Sequence, residues 1–254
     1  MGNNDDYLTI TKDYYDNRLG KEHGHDNSHM EDWFRWEAIE SVIKKQLRST
    51  STALTILDYG CGTGWLSNLL SKYARVTGID ISERAIQSAT KKYNHIRFLS
   101  FDASSKELPE LQGEKFDIIV SSEVIEHVQD QKNYINNIMQ LLKPNGFLVL
   151  TTPNGEWKKQ YFYKDRSEWG QPFEFWLTSK EIKNLIPENL HAVQVRSFNS
   201  NGLLQLKSFG IFNLIGNRFI LKGIKILRLQ KLYYKILDNS GFGLYLILTG
   251  KNGI

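Results

Sequence analysis

One cysteine in 254 residues, Cys61, excludes an intrachain disulfide and any cage of several thiolates around a metal. The five prolines and the glycines gather into no Pro/Ser-rich linker, and no stretch repeats, so a second independent domain is not expected. No apolar run is long enough for a membrane span. The start, Met1-Gly2-Asn3-Asn4-Asp5-Asp6, lacks the basic and apolar regions of a secretion signal, and Asp6 stands where a myristoylation signal needs Ser or Thr. A cytoplasmic location is the expectation. A broad excess of one charge is missing too. The net charge is +4, yet residues 203–240 hold seven basic residues against one acid, +6, so the rest carries −2. That segment alone is basic.

What is present centres on Ile56-Leu57-Asp58-Tyr59-Gly60-Cys61-Gly62-Thr63-Gly64-Trp65. A short β-compatible run enters three alternate glycines, and a helical pattern follows at once. Glycine lets such a loop turn tightly and brings its backbone against a ligand. The helix start adds unpaired N–H groups aimed at whatever the loop holds. A nucleotide-like ligand at the carboxyl end of a first parallel strand is the reading.

The chain around it alternates. A helical pattern over 31–48 precedes the first strand, 55–58. Helix 65–73, strand 75–80, and a helix from the Ser82 cap to Lys92 come next. Strand 96–101 ends in Asp102, strand 116–121 follows, and helix 132–142 stops at Pro144-Asn145-Gly146 before strand 147–152. Thr178-Ser179-Lys180-Glu181 is a capping box, and strands 193–198 and 244–249 close the chain. Strand and helix alternate five times, which gives an α/β, doubly wound, parallel sheet. Asp80, Asp102 and Ser121 to Glu123 all fall at carboxyl ends of strands beside the glycine loop. Asp80, twenty residues after Gly60, can accept from both hydroxyls of a ribose, and Asp102 from a purine amine.

Asp58-Tyr59-Gly60-Cys61-Gly62-Thr63-Gly64, Ile79-Asp80, Phe101-Asp102-Ala103, Phe116-Asp117-Ile118-Ile119 and Leu142-Lys143-Pro144-Asn145-Gly146-Phe147 resemble the ordered motifs of class I S-adenosylmethionine-dependent methyltransferases. The resemblance implies a seven-stranded Rossmann-like sheet with an antiparallel last strand, 244–249 inserting beside the sixth. It implies one domain: an N-terminal helical lid over 1–50, a cofactor core over 51–152, an aromatic substrate lid over 153–190, and last strands over 191–254 with a basic helical insertion at 203–240. It places Asp58, Gly60, Gly62 and Gly64 at the amino-acid end of S-adenosyl-L-methionine, Asp80 at the ribose, and Asp102 with Ala103 at the adenine. Cys61, Ile81, Ser121 and Glu123 complete the rim. Trp65 stands where a dinucleotide dehydrogenase has its last glycine, which disfavours that class.

Methyl transfer leaves the protein to position an acceptor and take its proton. In Ser122-Glu123-Val124-Ile125-Glu126-His127-Val128, helical spacing puts Glu123, Glu126 and His127 on one face. His127 is the candidate base, with Glu123 and Glu126 orienting it or joining it around a divalent metal. The Glu-x-x-Glu-His pattern resembles the ubiquinone-biosynthesis O-methyltransferases and the small-RNA 3′-terminal 2′-O-methyltransferases, where it supplies metal ligands. The RNA enzymes add a later histidine in an Asp-His-x-Phe-Glu-Trp context. Here Gly170-Gln171-Pro172-Phe173-Glu174-Phe175-Trp176 lacks it, which disfavours a nucleic-acid substrate.

Substrate contacts are expected from the N-terminal segment, through His23, His25 and Tyr14. They are also expected from the eight aromatics of 157–176, among them Trp157, Tyr161 and Trp176. On a helical wheel over 222–237 the basic residues share one side and apolar residues the other. Such a helix packs on the sheet with a solvated basic face, lies on an anionic membrane, or grips a phosphate-bearing substrate. Together these features point to O-methylation of a hydroxyl on a small molecule, a lipid-linked intermediate or a cell-surface sugar. RNA ribose methylation and a non-catalytic cofactor-binding partner subunit are the alternatives.

Overall fold

In a computed structural model of the chain, residues 4–19, 30–47, 54–101, 111, 113–156, 173–199 and 243–253 are described. Asp102, Ala103, His23, His25, Trp157, Tyr161 and the basic segment 203–240 lie outside them.

Seven strands form one sheet: β1 (Thr55–Tyr59), β2 (Arg75–Asp80), β3 (Arg97–Ser100), β4 (Phe116–Ser122), β5 (Leu142–Pro153), β6 (Leu190–Phe198) and β7 (Tyr245–Asn252). Their order is β3-β2-β1-β4-β5-β7-β6. The pairings among β1 to β5 are parallel, and β7 runs antiparallel between β5 and β6. The doubly wound reading holds, including the inserted last strand. The chain reverses direction in strand order at β1, flanked by β2 and β4. Ligands bind at this crevice in open α/β sheets, outside the carboxyl ends of the strands.

Both faces of the sheet are covered, because residues alternate between two cores. Leu57, Tyr59 and Ile119 pack with Tyr134, Ile135 and Ile138 of helix α5 (Gln131–Leu141). Ile56, Ile118, Val120 and Val149 pack with Trp36, Ile39 and Ile43 of α2 (Met30–Leu47) and with Leu69 and Leu70 of α3 (Trp65–Leu70). Each such side chain taken fully from water contributes about 1.5–3 kcal/mol, which is why central strands read as apolar runs. Helix α4 (Glu83–Lys92) starts where expected: Ser82 accepts from the Ala85 N–H, and Glu83 sits in the first turn. The capping box also forms, Thr178 and Glu181 exchanging bonds at the start of α6 (Ser179–Asn184).

Three expectations need correction. Helix α3 ends at Leu70, short of residue 73, and α5 at Leu141, because β5 begins at once and reaches back through Pro144-Asn145-Gly146 with Asn145 at φ 62°. The strand before Asp102 spans only Arg97–Ser100. Last, α1 (Asn4–Leu19) is a sixteen-residue helix within the segment 1–50 expected to be helical, although the residue pattern marked helix only from 31. Its apolar residues trace no stripe, so it is held by docking: Tyr7 and Thr11 are buried, and Asp16 accepts from Ser82 Oγ at 2.6 Å.

At the opposite end of the sheet, Asp117 ties three elements. It accepts from the Thr55 N–H at 2.8 Å, Thr55 Oγ1 at 2.7 Å and Lys143 Nζ at 2.9 Å. Partial burial pushes its pKa up, but Lys143 and Thr55 outweigh that and hold it below the usual value. Asp117→Ala leaves the Thr55 donors without their acceptor, so chemical denaturation is expected to show a loss of about 1–3 kcal/mol. With its folded pKa depressed, the contribution is present at neutral pH and lost as pH falls through that pKa.

Candidate active site

The glycine loop closes on backbone bonds: the N–H groups of Gly60 and Cys61 both donate to the Ile79 carbonyl at 2.8 Å, and Gly64 N–H donates to Cys61 O at 3.0 Å. Two glycines are obligatory. Gly60 has φ 86°, and a Cβ there would lie 2.2 Å from Val124 Cγ2. Gly64 has φ 81°, and its Cβ would meet Phe98 Cζ at 2.8 Å. Val124 therefore seats the β4 loop against the cofactor loop, three residues before His127. Asp80 fastens the loop from β2, accepting from Gly62 N–H at 2.8 Å and Ser82 N–H at 2.9 Å. Ile81 lies between, where β2 hands over to α4. Burial raises the Asp80 pKa, and those backbone donors oppose it.

Asp58 carries the sharpest signal. Its Oδ2 accepts from Ser67 Oγ at 2.6 Å, while its Oδ1 is buried without a hydrogen-bond partner among the described residues. Burial raises its pKa to about 7, against the pull of the Ser67 hydroxyl. A buried orphan acceptor costs about 1–3 kcal/mol, so the site is built for a donor, of which an ammonium is the strongest kind. Cys61 is buried and its thiol pKa is pushed well up by desolvation, so it is an inert wall of the loop.

Beyond the loop, Glu123 does not start a helix. It sits at φ 59°, and only Ile125–His127 forms a single 3₁₀ turn. The shared helical face expected for Glu123, Glu126 and His127 is thus replaced by separate settings. Glu123 Oε1 accepts from Thr151 Oγ1 at 3.1 Å, and its Oε2 lies 3.5 Å from Arg35 Nη1. Glu126 Oε2 accepts from Thr152 Oγ1 at 3.0 Å. His127 Nε2 lies 3.8 Å from Glu126 Oε1, and Nδ1 lies 3.0 Å from the Phe173 carbonyl. Among the described residues no three His, Cys, Asp or Glu side chains gather closely enough to hold a metal. Glu123 is engaged by a cation and Glu126 by a hydroxyl, which does not fit a metal centre. Ser121 also departs from expectation: its side chain is buried and bonds Tyr134 OH at 2.8 Å, on the core side.

Desolvation raises Glu123 to about 8 and Glu126 to about 7, the first also through its acidic neighbour Glu126. A carboxyl whose folded pKa exceeds its unfolded one binds extra protons when folded, so stability falls as pH rises between the two values. Melting temperatures without cofactor are expected to decline from about pH 5 to pH 8. Glu126→Gln should flatten that decline; an unchanged slope would contradict the buried-acid assignment.

Several participants left no mark in the residue pattern. Arg35 of α2 reaches both Asp32 and Glu123 and lies 5.9 Å over the Tyr245 ring. Tyr7 OH donates to the His127 carbonyl, and its ring lies 4.5 Å from Phe173. Tyr14 and Tyr15 lie together on α1, their rings 5.1 Å apart, and Tyr15 is the one that meets the His127 ring, at 5.8 Å. Trp176 follows Phe173 and Phe175, whose backbone runs beside the turn. The consecutive threonines ending β5 were the one legible clue to the carboxyl partners.

Residues 28–199, more than half of the chain, match the family model of a methyltransferase domain. The chain belongs to this methyltransferase family. The ubiquinone biosynthesis O-methyltransferase of Bartonella tribocorum is 33% identical over 147 residues, 54% of this chain and 59% of that protein. That of Bradyrhizobium diazoefficiens is 38% identical over 107 residues, 41% of this chain and 42% of that protein. A probable S-adenosylmethionine-dependent methyltransferase of Mycobacterium tuberculosis is 32% identical over 123 residues, 48% and 43% of the two chains. The chain spans about half the length of these curated relatives. In fold it resembles the N-methyltransferase NodS of Bradyrhizobium japonicum in complex with S-adenosyl-L-homocysteine (TM-score 0.59, 18% identity, 96% of this chain and 98% of that one). It also resembles a putative methyltransferase of Haloferax volcanii (TM-score 0.61, 17% identity, 96% and 98%). The cofactor of this class I family is S-adenosylmethionine, and the residues fit it: an orphan acid at Asp58, a cradle no Cβ can enter at Gly60, and a fastened acid at Asp80.

Proposed function

We propose that this methyltransferase transfers a methyl group from S-adenosylmethionine to a hydroxyl of a small molecule, a lipid-linked intermediate or a sugar, with His127 as general base. Asp58 and the loop from Gly60 to Gly64 would hold the amino-acid end of the cofactor, and Asp80 the ribose. Bound there, the cofactor supplies a methyl group on an already activated sulfonium. The protein's own part is to seat the acceptor and take its proton.

One observation carries the assignment of the base. The Phe173 carbonyl can only accept, so His127 Nδ1 carries the hydrogen and Nε2 keeps its lone pair. A proton taken on Nε2 arrives beside Glu126 Oε1, 3.8 Å away, which stabilises the imidazolium. Tyr15 meets the His127 ring edge-on at 5.8 Å, and Phe173 packs on Tyr7 at 4.5 Å. The hydroxyl assignment is supported by the relatives whose names specify O-methylation. Among the described residues no helix is long and apolar enough to cross a membrane, so contact with a lipid-linked acceptor would be peripheral.

The test combines calorimetric titration of S-adenosylmethionine with turnover over matched hydroxyl and amine acceptors, products identified by mass spectrometry. Methyl ethers are the expected products. Methylamines alone would overturn the hydroxyl assignment, and cofactor binding without turnover over a broad panel would favour a non-catalytic partner subunit.

A further inference from the structure

Asp16 docks α1, but its bonds reach further than docking requires. They end on Ser82, which is wholly buried at the corner where β2 hands over to α4. Every polar atom of Ser82 is in use. Its N–H donates to Asp80 Oδ1 at 2.9 Å, and its carbonyl accepts from the Ile86 N–H at 3.0 Å. Its Oγ accepts from the Ala85 N–H at 3.1 Å and donates to Asp16 Oδ1 at 2.6 Å. A hydroxyl has one hydrogen, and giving it to Asp16 leaves lone pairs to cap the helix.

Asp16 takes a second bond at the same corner. Its Oδ1 accepts from the Arg84 N–H at 3.2 Å, one of the N–H groups that the first turn of α4 cannot satisfy internally. The neighbouring ties are exposed and so contribute little: Lys12 Nζ lies 2.5 Å from Glu83 Oε1, and Arg84 Nη1 donates to Asn17 Oδ1 at 3.4 Å. The half-buried Asp16 is the anchor.

A continuous line of bonds follows. It runs from Asp16 through Ser82 to Asp80, and from Asp80 Oδ2 to the Gly62 N–H at 2.8 Å. The same helix also reaches the far flank of the crevice, where Tyr7 OH donates to the His127 carbonyl. Since β2 and β4 flank β1 in the sheet, α1 joins the two sides of the cofactor loop.

We propose that Asp16 is a positioning residue for Asp80. By holding the Ser82 hydroxyl and the Arg84 N–H it fixes the first turn of α4. That turn carries the Ser82 N–H, which orients the Asp80 carboxylate toward the cofactor ribose. The inference rests on the reading of Asp80 as the ribose acid. An acid 64 residues before Asp80 in the chain thus sets the geometry of the cofactor site.

The test is a double-mutant cycle read by calorimetric titration of S-adenosylhomocysteine, which needs no acceptor. Asp16→Ala should weaken binding roughly threefold to tenfold, the range of coupling between residues in one hydrogen-bond network. Added to Asp80→Ala, it should cost nothing further, because the carboxylate it positions is gone. Asp16→Asn keeps an oxygen that accepts from Ser82 and Arg84 and removes a like charge beside Asp80, so it should bind at least as tightly as the wild type. Ser82→Ala breaks the same line from the α4 side and should lose at least as much as Asp16→Ala, with the double variant no worse than Ser82→Ala.

Undiminished affinity in Asp16→Ala would overturn the proposal. So would an equal loss in the Asp80→Ala background, because α1 would then act on the cofactor without Asp80. Asp16→Asn as weak as Asp16→Ala would also overturn it. Undiminished affinity in Asp80→Ala sinks the ribose reading, whereas a weakened Asp80→Ala beside a full-strength Asp16→Ala sinks only the positioning role.

Discussion

His127→Ala is expected to lower kcat by roughly 10²–10⁴-fold, the range general-base catalysis supplies, while leaving the affinity for S-adenosylmethionine unchanged. The separation follows from geometry. Val124, three residues before His127, meets the loop at Gly60, and the loop is closed by its own bonds to Ile79 and Asp80. Loss of the imidazole removes a ring contact with Tyr15 and the bond to Phe173, both on the acceptor side. The Tyr7 bond is to the His127 carbonyl and survives the substitution. His127→Gln tests the same point with a side chain that can still donate to Phe173 but is no base; its kcat should match that of the alanine variant. Full turnover in either variant with a competent acceptor would show that the base lies elsewhere.

The second large effect concerns the cofactor. Asp80→Ala should weaken S-adenosylmethionine binding by roughly tenfold to hundredfold for each ribose hydrogen bond lost, since bonds to a charged group contribute about 1.5–3 kcal/mol. The same side chain accepts from Gly62 and Ser82, so part of the loss would come from a loosened loop. Thermal unfolding without cofactor separates the two: loop loosening lowers the midpoint, whereas loss of the ribose contact does not. Asp80→Asn keeps the shape but turns a donor toward one of those N–H groups, and should fall between wild type and alanine. Calorimetry with S-adenosylhomocysteine gives the readout free of turnover. Undiminished affinity in Asp80→Ala would sink the ribose assignment.

The glycine loop, Asp80 at the end of β2 and the capped starts of α4 and α6 were legible in the residues, whereas the inserted last strand was expected only from the family resemblance. Each of the former is local: an alternation, a helical period or a capping residue is written within a few positions and is enforced by backbone geometry that the neighbours share. Asp58 was legible as a motif residue, but the buried oxygen without a partner was not, because burial is a property of the packed sheet. The correction at Glu123 has a related cause. Helical spacing predicts a shared face only where the backbone is helical, and the left-handed turn at φ 59° breaks that condition.

What the tertiary structure alone decided lies between elements distant in the chain. Helix α1 has no apolar stripe to announce it; Tyr7, Tyr15 and Asp16 find partners 120, 112 and 66 residues away. Arg35 meets Glu123 across two elements that no pattern links. The Phe173 carbonyl stands 3.0 Å from His127 Nδ1 across 46 residues of chain, and a carbonyl is identical in every residue type. The sequence by itself determined the sheet, the cofactor loop and the acids at its rim, because periodicity and glycine geometry are local. Packing decided which distant carbonyl stands against His127 Nδ1.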